Sequence, residues 1–121
     1  MHHESGRHAR GSAYFRQALT LAERLGDPGS RTNAHHGLGE TLLALGEAEQ
    51  ALTHHRTSLA LARATGSRPD QARALAAAAR CLHRLLRTDE ADADRRAALA
   101  IYTELGRPEA EELADALRRG R

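Results

Sequence analysis

Aromatic side chains are nearly missing from this sequence: Tyr14, Phe15 and Tyr102 are the whole set among 121 residues. A core without large rings has to be filled by Leu and Ala, which give little packing volume per helix pair. Stability must then come from stacking successive elements on one another. Lysine is absent, a bias that reads as codon composition; all 18 basic residues are arginine, and 16 acids leave a net charge of +2. That balance makes no case for nucleic acid or a membrane surface as partner. The single Cys81 excludes an internal disulfide and fits a reducing compartment. No apolar run approaches the roughly 20 residues of a membrane span. The amino-terminal MHHESGRHAR lacks the apolar stretch of a secretory signal. A cytoplasmic setting is the expectation.

Groupings that could do chemistry are also lacking. No nucleophile, base and orienting residue share a defensible spacing, so no catalytic residue is assigned and the chain is read as a non-enzyme. Gly37-Leu38-Gly39 falls inside a helical pattern, follows no strand and lacks a later glycine, so it is no phosphate loop. His3-Glu4 followed by His8 misses the metalloprotease spacing, in which the second His stands three residues after the Glu. Asp92 and Asp94, two apart on a helix, point away from each other and read as a solvated acidic face. His35-His36 and His54-His55 lie on helices expected to run antiparallel and invite a zinc reading. No Cys, Asp or Glu at ligand spacing accompanies them, however, and packing is the preferred role. Cys81 reads as a small buried residue, although Arg80 and Arg84 nearby would activate an exposed thiol. No metal and no cofactor is expected.

What the sequence does contain is a repeat. Three similar phrases, ALTLAERLG, SLALARATG and ALAIYTELG, close at Gly26, Gly66 and Gly106, at intervals of 40 residues. The same register pairs Leu42 with Leu82, Leu45 with Leu85, Ala51 with Ala91 and Leu59 with Leu99. Recurrence at such a period marks a solenoid whose units cannot bury their apolar faces alone. The organising unit runs from Arg31 to Thr65 and reads as helix, tight turn, helix.

Within that unit Leu38-Gly39, Leu42, Gly46, Ala51 and Ser58 resemble the tetratricopeptide (TPR) pattern of small and large residues on two antiparallel helices. Gly39 would sit where the second helix comes close, and Gly46 near the turn. The next unit repeats it with Ala78-Ala79, Leu82, Leu85, Ala91 and Ala98. It departs at Leu86, where a turn glycine is expected, and His35, His55 and Arg95 occupy its aromatic positions. The resemblance implies an all-α, right-handed α-solenoid of about six helices.

Taken in order, residues 1–10 are polar and expected to be disordered. Residues 11–26 form a half repeat, 31–66 and 69–106 full repeats, and 108–119 a capping helix. Ser30 is expected to cap the second helix, Ser67 with Asp70 the fourth, and Thr88 the fifth. The last helix carries Ala110, Leu113, Ala114 and Leu117 as one apolar stripe, with Glu111, Glu112, Asp115 and Arg118 opposite, as the end of an array would. The first helix is the second half of a unit without its first half. Either the chain is a piece of a longer array, or this helix finds a partner in another molecule; for the isolated chain, self-association through the Tyr14, Phe15, Leu21 and Leu25 surface as a homodimer is the expectation.

TPR arrays line their concave face with the first helices of successive units, and peptide ligands lie there. By offset the resemblance implies a groove of Asn33, His36, Glu40 and Leu43, then Arg73, Ala76, Arg80, His83 and Arg84. Arg73, Arg80 and Arg84 share a helix face, and three guanidinium groups there suit an acidic peptide or protein segment. The phrases LALARATG and LAIYTELGRPEA resemble the C-terminal TPR arrays of bacterial SARP-type and NB-ARC regulators, which implies a sensor or autoinhibitory arm acting by contacts. An alternative is a co-chaperone-like or assembly scaffold that captures acidic protein tails.

Overall fold

The computed structural model describes residues 2–120, with side chains from residue 6 onward. The described residues form six α-helices and no strand: α1 (His2–Leu25), α2 (Pro28–Ala44), α3 (Ala48–Thr65), α4 (Arg68–Arg84), α5 (Thr88–Glu104) and α6 (Glu109–Arg118). Each helix packs on the next in chain order, and α2 also touches α4. Contacts between chain neighbours, with the first helices of adjacent hairpins in touch, are what a solenoid of stacked hairpins requires.

Turn chemistry sets the corners. Gly26, Gly66 and Gly106 follow α1, α3 and α5 with φ of 66°, 73° and 66°. All three lie in the left-handed region that a side chain disfavours. Inside the hairpins Gly46 (φ 85°) follows α2, and Leu86 (φ 61°) follows α4. The repeat geometry thus forces a leucine into a glycine conformation.

The core is small-residue packing, as the composition requires. One cluster gathers Leu42, Ala51, Leu52, Ala78, Ala79, Cys81, Leu82 and Ala91; the other gathers Leu59, Ala72, Ala74, Leu75, Ala98, Ile101 and Tyr102. Each buried Leu contributes roughly 1.5–3 kcal/mol relative to exposure. A Cβ added at Gly39 would collide with the buried His55 ring, and one at Gly37 with the Phe15 ring, so α3 and α1 ride directly on the α2 backbone. Ser58 donates to the carbonyl of Thr32 at 3.1 Å, satisfying a buried hydroxyl at the same α2–α3 approach.

Several local expectations are corrected. The helix α1 begins at His2 and runs through the segment read as disordered. Once Phe15 and Ala22 are packed, each added residue needs only one hydrogen bond's worth of ordering, because nucleation is already met. Asp27, not Ser30, caps α2: its Oδ1 accepts from the Gly29 amide at 3.2 Å, and Ser30 Oγ donates to Oδ2 at 2.6 Å. Pro28 takes the first helical position, where a missing N–H is harmless, and so the cap lies at Asp27, three residues before Ser30. Thr88 is the first residue of α5 and not its cap, because Arg87 N donating to Leu82 O at 2.9 Å closes the turn one residue earlier. Ser67 does cap α4, accepting from the Asp70 amide at 3.4 Å. Asp94 is no solvated acid: it pairs with Arg56 of α3 at 2.8 Å, and its carboxyl is shifted upward by burial despite that partner.

Candidate functional site: a groove of mixed charge

The first helices of the two hairpins, α2 and α4, wall a concave cavity of about 500 Å³. From α2 come His36 and Glu40, and from α4 Arg73, Ala76 and Arg80. Arg95 and Tyr102 of α5, with Glu109, Glu112, Leu113 and Ala116 of the α6 region, complete it. The positions share helix faces because 3.6 residues per turn stacks residues three, four and seven apart.

The polar groups are partly tied to each other. Arg73 Nη2 donates to Asn33 Oδ1 at 2.8 Å and lies 3.5 Å from Asp70. His36 Nε2 faces the Glu40 carboxylate, while its Nδ1 is buried without a partner. Burial, first, and then the Arg73 charge hold the His36 pKa below its ordinary value. Glu109 is clasped by Arg107, 3.2 Å away. Arg84 lines an adjoining depression with Leu43, Glu40 and Arg80, and reaches the Leu43 carbonyl at 3.5 Å. Thus His36, Glu40, Arg73 and Arg80 meet in the main cavity; Asn33 sits beside it behind Arg73, Leu43 and Arg84 stand at its neighbour, and His83 is exposed outside both.

Six wall residues escaped the sequence reading of the groove: Arg95, Tyr102, Glu109, Glu112, Leu113 and Ala116. Only Arg95 left a signal, as a charge in a position where the repeat calls for an aromatic ring. Its side chain is buried, and the nearest carboxylate oxygen, Asp92 Oδ1, lies 3.8 Å from Nη1.

Beneath the groove four histidines meet across α2 and α3. His35 Nδ1 and His54 Nδ1 stand 2.9 Å apart, so one ring donates and the other accepts, and His36 and His55 cross edge to face at 5.1 Å. It is His55 and His36 that are buried, while His35 is half-exposed. Burial, aided by the neighbouring positive groups, pushes the His55 pKa down to about 3. Facing imidazoles in pairs are not a zinc shell, which takes three or four protein ligands. Among the described residues no group of three or more His, Cys, Asp or Glu side chains is arranged so that it could hold a metal ion. Cys81 is buried and its thiol is pushed up by burial.

On α1, Tyr14, Leu21 and Leu25 are 64%, 56% and 72% exposed and line a second depression of about 270 Å³. Phe15 is half-buried against Gly37 and belongs to the packing of α1 on α2. No helix among the described residues is long and apolar enough to cross a membrane.

Stacked helical hairpins enclosing a concave face define a class, the helical-repeat interaction scaffolds. A family model described as tetratricopeptide repeat matches residues 1–64 and 30–104, and the chain belongs to that family. No curated protein matches it in sequence. Among solved structures it is similar to a Rap protein crystallised in complex with competence and sporulation factor, at TM-score 0.83 and 22% identity. The match covers 91% of this chain and 31% of that one, so this chain spans about a third of its structural relative. That likeness shows the fold, an all-α solenoid of antiparallel helix pairs.

Proposed function

We propose that this chain is a non-catalytic, cytoplasmic peptide-binding module, the sensor or regulatory arm of a bacterial transcriptional or signalling regulator. Its ligand is an extended segment with acidic character, bound in the concave groove. The observation that carries the reading is the joining of Arg73, Arg80 and His36 from two successive hairpins into one cavity open to solvent. Guanidinium groups on a rigid helix pair hold carboxylates through paired, charge-assisted hydrogen bonds. The Rap structure supports it in kind, being a similarly folded protein complexed with a separate factor.

The test is selection of a displayed random-peptide library on the immobilised chain, followed by binding of the enriched peptides to the Arg80→Glu, Arg84→Glu double variant. Enrichment of acidic segments that the double variant no longer holds is the expected result; equal binding by both forms ends the groove assignment. Enrichment confined to peptides with a free acidic C-terminus would favour the tail-capturing scaffold.

A second surface is favoured by the exposed Tyr14, Leu21 and Leu25 on α1. It pairs two copies of the chain through α1. Sedimentation should show a concentration-dependent dimer lost in Leu21→Glu, and a monomer throughout the concentration series would remove this surface from the proposal.

A further inference from the structure

Arg95 is a charge that the fold accommodates poorly. It is 7% exposed, its Nη1 has no hydrogen-bond partner, and Asp92 at 3.8 Å is beyond hydrogen-bond reach. Its one ion pair is therefore long and carries no hydrogen bond, and for a buried charge so held an apolar side chain of similar volume is commonly the more stable choice. The residue nevertheless faces the groove cavity.

The other charges around that cavity say what it is suited to receive. Three arginines (Arg73, Arg80, Arg95) face three glutamates (Glu40, Glu109, Glu112). Arg73 is held by Asn33 and Asp70, Glu40 by His36, and Glu109 by Arg107. Arg80 and Glu112 form no ion pair among the described residues. An unengaged positive group on α4, with the loosely paired Arg95 of α5 beside it, therefore shares the cavity wall with an unengaged negative group on α6. A balanced wall suits a monoanion accompanied by a cation better than a doubly charged phosphoryl group. The volume of about 500 Å³ falls among ordinary small-ligand cavities and holds a segment of a few residues.

We infer that Arg95 is an anion anchor: with Arg80 it takes the carboxylate of a short peptide segment, while a basic residue beside that carboxylate meets Glu112. This rests on the groove reading above and narrows its ligand from acidic to dipolar. A carboxylate supplied by an Asp or Glu side chain and one supplied by a chain terminus share this chemistry.

The experiment follows the Arg95 Nε–H resonance of the isotope-labelled chain during titration with acetyl-Arg-Ala-Asp-amide, acetyl-Arg-Ala-Ala with a free terminus, acetyl-Ala-Ala-Asp-amide, and inorganic phosphate. Saturable shifts with an Arg-containing probe are expected, weakened roughly tenfold or more in Arg95→Met. The two Arg-containing probes tell side-chain from terminal carboxylate. Glu112→Gln, on an exposed position of α6, should erase the preference for the Arg-containing probe over its Ala counterpart. Arg95→Met should also raise the thermal midpoint, because the site then loses a buried charge held only by one long ion pair; a lowered midpoint would make Arg95 a structural ion and overturn the assignment. If a probe moves the Asn33 and Arg73 resonances yet binds Arg95→Met equally well, the anchor is refuted and groove binding survives. Tighter binding of phosphate than of any peptide, or no saturation by any peptide below about 10 mM, refutes the anchor as well.

Discussion

Replacing Leu86 by glycine should stabilise the protein. Leu86 has φ of 61° and stands where the preceding hairpin has Gly46 at φ 85°. A non-glycine residue in the left-handed region costs about 1–2 kcal/mol. Glycine avoids that cost but loses about 0.5–1 kcal/mol through the greater freedom of its unfolded chain. Leu86 is 87% exposed, so removing its side chain gives up almost no burial. The net expectation is a gain of about 0.5–1 kcal/mol, which for a chain of this size raises the thermal midpoint by about 2–4 °C. Urea unfolding followed by far-ultraviolet circular dichroism should show a higher midpoint at unchanged slope. Leu86→Ala is the control: it removes the exposed side chain but keeps the Cβ, and should gain little. A lowered midpoint for Leu86→Gly, or an equal rise for Leu86→Ala, would refute the argument from backbone strain.

Two further outcomes follow from the α2–α3 contact. Gly39→Ala would drive a methyl group into the buried His55 ring. The clash, about 1–3 kcal/mol, should outweigh the gain of about 1 kcal/mol in helix propensity, whereas Gly29→Ala, whose Cβ would meet only Asp27 at 3.6 Å, should not lower the urea midpoint. The histidine cluster should make the fold acid-labile. The His55 pKa is depressed to about 3 by burial, so its protonation favours the unfolded chain. Its contribution is full above the unfolded value of about 6.5 and is lost as pH falls toward about 3, roughly 3–5 kcal/mol in all. His35, His36 and His54, also depressed chiefly by burial, act in the same direction. The urea midpoint should fall steadily from about pH 6.5 downward, and His55→Leu should flatten that fall; a midpoint independent of pH across that range contradicts the assignment.

The sequence by itself determined the hairpins and their spacing. Helices, caps and glycine corners depend on residues within a few positions of one another, so Gly26, Gly66 and Gly106 announce the ends of α1, α3 and α5, and Ser67 the start of α4. That His36, Glu40, Arg73 and Arg80 share one groove was implied by the TPR resemblance, whose offsets put them on the first helices; helical spacing alone says only that Arg73 and Arg80 share a face of α4. The cap of α5 was misread, since the left-handed turn at Leu86 moves it, and Asp94 looked solvated until α3 brought Arg56 to it. Only the tertiary structure decided that Arg95 of α5 and Glu112 of α6 close the groove. Those side chains lie on helices whose approach to the cavity depends on how steeply each hairpin crosses the next, and that angle comes from packing among many small residues at once, with no local trace in the chain.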